Sequence, residues 1–285
     1  IIPYHQVLSQ ELYRSNTVKL LLCFGLFPWV IGFFASSDTN LKDIAWILGI
    51  YYAFIWGIVL HNLIQPTQFS LQTALKCVCF TAFVGIPLLL FIQKVPPVSL
   101  LYAVTDSSNS ILRLIGYVLG VGILEESCKA LPVYLFILRP GKLQEPLSAA
   151  FYGAMSGLGF AIAEGGHYSL LYASELVKGN MALTNHILVT TVRFISLPLI
   201  HAIWAGIVGY FIGLAAINPS RQKAIIFLGV TIAAVLHGVY NTFANSFIGL
   251  GVLAFSILLF VTYLHRSEVM IEEMKQAEAK YQESA

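Results

Sequence analysis

Charge is scarce in this chain and nowhere concentrated. Lys, Arg, Asp and Glu make up 11% of 285 residues, for a formal net charge of +2. Without a basic cluster, the sequence offers nucleic acid no electrostatic footprint. Cysteine is equally sparse: Cys23, Cys77, Cys79 and Cys128 all fall inside apolar runs, where a thiol behaves as a small hydrophobe. Cys77 and Cys79 are two residues apart, hence on opposite helix faces, and make a poor chelating pair. Cysteine usage therefore does not reveal the redox compartment. Internal repeats, low-complexity tracts and a soluble second domain are also missing.

What the chain has instead is apolar length. Hydrophobic residues are 58% of it and the mean hydropathy is +0.78. Few soluble folds of this size hide so much apolar surface, which points to a membrane protein. Eight runs are long enough to span: 18–35, 44–64, 71–93, 111–138, 147–172, 187–217, 223–246 and 248–265. Only helices satisfy their own backbone in lipid, and barrel strands need only about ten residues. The expectation is an all-α, polytopic membrane helical bundle of about eight transmembrane helices. A single membrane domain covers 1–265 with its core at 111–246, and 266–285 form a charged, helix-prone cytoplasmic tail. The run 18–35, which ends at Ala35-Ser36-Ser37, is read as an uncleaved first span.

Lys and Arg set the orientation. With both termini cytoplasmic, the inner side holds Arg14, Lys19, Lys76, Arg139, Lys142, Arg221, Lys223, Arg266, Lys275 and Lys280. The outer side holds only Lys42, Lys94, Arg113 and Lys178. Two connections are longer than the rest. Residues 94–110 carry a Pro-Pro pair and a Ser/Asn-rich end, the mark of an external loop with a partly inserted turn. Residues 173–185 read as the second loop. In the tail, Met270, Met274, Ala277 and Tyr281 share one side of a helix taken as solvated.

Against this background, a few polar residues sit where a spanning helix should carry none. Glu125, Glu126 and Lys129 interrupt the fourth run, Glu164 the fifth, His201 the sixth and His237 the seventh. An acid at mid-helix costs about 2.5–3.5 kcal/mol on insertion scales, so such groups face a bundle interior. Lys129 is four residues from Glu125 and three from Glu126 and reaches either. The two acids diverge by about 100°, so one faces the cavity while the other pairs. Small residues accompany each group: Gly116, Gly120 and Gly122 before the acids, Gly153, Gly157 and Ala161 before Glu164, and Ala205, Gly209 and Gly213 after His201. Such residues allow close helix approach. Ala233, His237 and Asn241 share a face. Arg193 reads equally as an interfacial residue or a charge partner, and His167 and Tyr168 as ordinary interfacial rings.

Carboxylate and imidazole are the groups that hold Zn²⁺, with three protein ligands and an open position in catalytic sites. The ion acidifies bound water and polarises a carbonyl. A remaining carboxylate then serves as general base and returns the proton to the leaving amine. One Glu beyond a Glu/His/His set is thus sufficient for peptide hydrolysis. The same residues without metal can activate water through glutamate and histidine, and the sequence leaves both mechanisms open.

The motifs Glu125-Glu126-Ser-Cys-Lys129 with Pro132, Gly159-Phe160-Ala-Ile-Ala-Glu164, His201-Ala-Ile-Trp204-Ala-Gly206 and Leu236-His237-Gly-Val-Tyr-Asn241 together resemble the PrsW family of intramembrane proteases. That family is related to the CAAX-prenyl proteases and Abi-type proteins. Lys129 in place of Arg, and Glu164 in place of His, favour the PrsW branch. The resemblance covers roughly 111–245. It implies a membrane endopeptidase, classed as a metallopeptidase, whose bacterial members start the cleavage of membrane-bound anti-sigma factors. It further implies Glu125 and Glu126 as the essential acids, Glu164, His201 and His237 as zinc ligands, and Asn241 as an aid to the oxyanion or to His237. In the assigned topology the site opens toward the outer half of the bilayer. A membrane-anchored protein substrate is the expected partner, with the surrounding lipid. Two other readings fit the same residues: a proton- or cation-coupled transporter or channel, and a non-catalytic binding or immunity protein.

Overall fold

The computed structural model describes Lys19 and residues 41–284, apart from 143–144, 180–182 and 245. Apart from Lys19, the first apolar run lies outside the described residues, as do Arg14 and Cys23. The elements are α1 (Leu41–Ile64), α2 (Leu71–Ile92), α3 (Val98–Ala103), α4 (110–138), α5 (Pro146–Val177), α6 (Leu183–Ala216), α7 (Gln222–Phe243), α8 (Phe247–His265) and α9 (Ser267–Ser284). No strand occurs among the described residues. Among the described residues, six helices (α1, α2, α5, α6, α7 and α8) are long and apolar enough to cross a membrane. The all-α membrane bundle expected from the sequence is what the chain forms, with six such helices among the described residues against the eight runs expected.

The α4 segment is not a uniform rod. It joins Ser110–Ile115, a π-helical stretch Gly116–Gly122, the α-helix Ile123–Val133 and a second π-helical stretch Tyr134–Leu138. Pro132 lies inside it and lacks the N–H that the Cys128 carbonyl would otherwise receive. In α2, a π turn at Thr81–Gly85 likewise precedes Pro87. Widened turns of this kind gather at functional sites.

The core is the antiparallel pair α5–α6, joined through the small residues noted in the sequence. A methyl group on Gly157 would stand 2.3 Å from the His201 carbonyl oxygen, and one on Gly209 would stand 2.3 Å from that of Ala149. The backbones are therefore in direct contact, as small-residue faces permit. In their apolar windows, 83% of α5 and 89% of α6 residues are buried, against 17–28% in α1, α2, α7 and α8. The latter four form the ring that meets lipid. Cys77 is buried and Cys79 exposed, as their spacing requires.

Two expectations need correction. Residues 173–185 are not a loop: α5 runs to Val177 and α6 starts at Leu183. The break comes at Gly179, whose φ of +74° suits glycine. Ala173, Glu175 and Leu176 are helix formers, and the helix continues beyond its apolar stretch, which ends at Gly165. Nor is the tail a free solvated helix. Met270 and Met274 of α9 pack on the core, and the Tyr210 hydroxyl donates to the Met270 sulfur at 3.6 Å. Ser220 donates to Glu278, and Arg221 lies 5.8 Å from the Tyr281 ring. The Ser220 and Gln282 hydrogen bonds hold the Glu278 carboxyl below its usual range. Between α2 and α4, the turn expected in 94–110 exists as α3. Its Leu101 carbonyl oxygen would lie 2.9 Å from a methyl placed on Gly116.

Candidate active site

All the interrupting polar residues meet. On α4, Glu126 and Lys129 are completely buried, and the Lys129 ammonium reaches Glu126 at 2.7 Å and Glu125 at 3.4 Å. The helix spacing that separates the acids by about 100° gives them different surroundings. Glu126 has no exposure, whereas the Glu125 side chain keeps 14%. Lys129 also stands 4.2 Å from the centre of the Phe160 ring on α5, a position in which the ring face attracts the cation. The Lys129 carbonyl accepts from Ser156 at 2.6 Å, and Ser156 in turn contacts Thr81 of α2 at 2.6 Å. Three helices are thus pinned at the root of this lysine.

From α7, His237 directs Nδ1 to Glu126 at 2.8 Å and leaves Nε2 facing Glu125 at 3.7 Å. From α6, the His201 Nε2 lies 2.7 Å from Glu164 of α5. The Glu164 carboxylate also accepts from Arg193 at 3.3 Å, so Arg193 is a charge partner here. The imidazole centres of His201 and His237 are 5.7 Å apart. One buried cluster therefore unites Glu125, Glu126, Lys129, Glu164, His201 and His237 from four helices. Asn241 sits one turn beyond His237, lines a separate cavity and makes no hydrogen bond to that imidazole among the described residues.

Which residues suit a metal follows from donor chemistry. The ligand atoms of Glu125, Glu164 and His201 all lie within 4.8 Å of one another. That trio shares Glu164 and His201 with the set expected from the sequence and replaces His237 by Glu125. His237 differs because Glu126 occupies its Nδ1, yet this is also how carboxylates orient metal-binding imidazoles. Carboxylate oxygen and imidazole nitrogen are zinc-type donors in either set. His201 Nδ1 and Glu126 Oε2 are buried and have no hydrogen-bond partner among the described residues.

Three residues around the cluster escape a search for charge. The Trp204 indole stacks on His237, with ring centres 4.6 Å apart and planes 20° apart. Its Nε1–H donates at 3.0 Å to Ser256 on α8. Phe160 lies 5.0 Å from His201, ring centre to ring centre. Phe160 and Trp204 stand in the sequence motifs without an assigned role, and Ser256 could have been found as a lone hydroxyl in the middle of a greasy helix.

Comparison with known proteins agrees with this geometry. Residues 70–265 match the sequence model described as PrsW family intramembrane metalloprotease. The chain is also 32% identical over 126 residues to the protein named Protease PrsW of Shouchella clausii (strain KSM-K16). That match covers 44% of this chain and 53% of the relative, about half its length. No solved structure matches the chain. The matched family model spans more than half of the chain and contains every member of the buried cluster, so the chain belongs to the PrsW family of intramembrane metalloproteases.

Proposed function

We propose that the protein is an intramembrane endopeptidase that hydrolyses a peptide bond of a membrane-anchored protein. The observation that carries this reading is the convergence of three carboxylates and two imidazoles from α4–α7 in one buried cluster. Glu125 is its general base, because this acid keeps some exposure and Glu126 has none. It takes a proton from the attacking water and gives it to the leaving amine. Glu126, clamped between Lys129 and His237, holds the imidazole so that Nε2 faces Glu125. Glu164, His201 and His237 would hold a Zn²⁺ ion; Glu125, Glu164 and His201 are the competing trio. Such an ion supplies Lewis acidity toward the carbonyl and lowers the pKa of water. Asn241, expected from the sequence to aid the oxyanion or His237, lines a separate cavity and takes no part in this scheme.

An anti-sigma factor is the substrate class suggested by the family resemblance. Both termini are cytoplasmic in this reading. Arg139, Lys142, Arg221 and Arg266 share the end of the bundle that carries α9, and Lys94, Arg113 and Lys178 share the other. The excess of positive charge marks the α9 end as the inner side.

The test uses purified protein in proteoliposomes with a panel of single-span reporter proteins, cleavage being read by mass spectrometry. Glu125→Gln should lower turnover of the cleaved reporter by about 10³-fold, within the range of a lost general base. Undiminished cleavage by this variant overturns the assignment. Elemental analysis separates the two ligand sets. Zinc retained in Glu125→Gln and lost in His201→Ala and His237→Ala supports the His237 set. Zinc lost in Glu125→Gln and kept in His237→Ala supports the other, and metal-free active enzyme points to glutamate chemistry alone.

A further inference from the structure

At the end of the bundle opposite α9, a cavity of about 440 Å³ with a mixed polar and apolar lining lies where α4 begins and α7 ends. Arg113, Tyr117, Asn241, Thr242 and Ser246 line it. Thr242 and Ser246 spend their hydroxyls on backbone carbonyls of Gly238 and Phe243. Arg113, Tyr117 and Asn241 do not: among the described residues their side chains have no hydrogen-bond or ionic partner, and Arg113 Nε is buried without one. A guanidinium, a phenol and a carboxamide thus face one space with their donors unused. The buried Arg113 Nε is costly to leave this way unless a ligand supplies an acceptor, and the partly exposed Tyr117 and Asn241 offer further donors beside it. The volume lies in the usual range for small-ligand sites.

We propose that this cavity binds the phosphate of a membrane phospholipid. A guanidinium forks onto two phosphate oxygens, and the phenol and amide add neutral donors. The surroundings select a lipid over a free anion. Phe247 and Ile248, which directly follow Ser246 of the lining, are exposed apolar side chains of α8, a surface that acyl chains cover. The position suits a headgroup as well, because α7 ends at Phe243 and α8 begins at Phe247, where the chain leaves and re-enters the apolar layer. Asn241 belongs to this cavity and lies four residues from His237 on the same helix face. A bound headgroup therefore sits one helical turn from the catalytic cluster.

Native mass spectrometry of the delipidated full chain tests the proposal without reference to proteolysis. The probes are dioleoylphosphatidylglycerol, dioleoylglycerol with the same chains but no phosphate, and inorganic phosphate. The wild type should bind one phosphatidylglycerol at least tenfold more tightly than Arg113→Gln, with Arg113→Lys partly restored and Tyr117→Phe weakened by about threefold. Dioleoylglycerol should show no dependence on Arg113. Equal phosphatidylglycerol binding by wild type and Arg113→Gln overturns the proposal, as does an Arg113-dependent site that takes inorganic phosphate equally well. Unaltered lipid binding with a raised KM for the cleaved reporter in Arg113→Gln would assign the cavity to a peptide carboxylate instead. Arg113→Lys guards against misfolding, since it keeps the charge and the shape of the helix.

Discussion

At the scale of single residues, the cluster is governed by burial of Lys129. Its ammonium is wholly enclosed and answers two carboxylates and one aromatic face. Removing one member of a buried ion pair leaves the other without compensation, at a cost of about 3–5 kcal/mol. Lys129→Met should therefore lower stability by that amount, read as detergent- or urea-induced unfolding. Lys129→Met combined with Glu126→Gln should recover part of the loss. Ser256 illustrates a quieter dependence. It touches no other member of the cluster, yet it accepts from the indole that stacks on His237. Ser256→Ala should lower kcat for the cleaved reporter about fivefold with KM unchanged, roughly one neutral hydrogen bond. Added to Trp204→Phe, it should cost nothing further, because that change already removes the donor. The sequence revealed the charged members because each stood out in an apolar run. Phe160, Trp204 and Ser256 were not visible in this way: aromatic rings in apolar helices are common, and their value lies in which partner from another helix lies alongside.

At the scale of elements, helix existence was legible and helix texture was not. The six long apolar helices follow from run length, since hydropathy reports how much of a segment sits in lipid. The π turns of α4 leave no trace in hydropathy, because Gly116–Gly122 and Tyr134–Leu138 are as apolar as any α-helical turn. The connection at 173–185 was misread for a related reason: a helix end that projects from the apolar layer has the composition of a loop. The α5–α6 contact was readable in outline from its small residues, and the structure shows its tightness. Gly157→Val should force the helices apart beside His201, since even the first carbon of a side chain meets backbone at 2.3 Å. Overpacking of this kind typically costs about 1–3 kcal/mol. The expected result is a lower thermal midpoint together with slower turnover of the cleaved reporter than in wild type.

At the scale of the whole molecule, α9 closes the end of the bundle where the Arg- and Lys-rich turns gather. Met274→Asp should release this helix, seen as faster amide exchange over 267–284 with little change over α5 and α6. An equal rise in α5 and α6 would mean that the tail supports the core and not merely its end. The arrangement of inner pair and outer ring also has a bearing on the host membrane. Thickness mismatch acts on helices that meet acyl chains, which answer by tilting. In this protein those are the sparsely buried helices, α7 with His237 among them, whereas Glu164 and His201 ride on the two helices shielded from lipid. A thicker or thinner bilayer therefore reaches the two imidazoles unequally, and acyl-chain length becomes a physical variable that sets the offset between them.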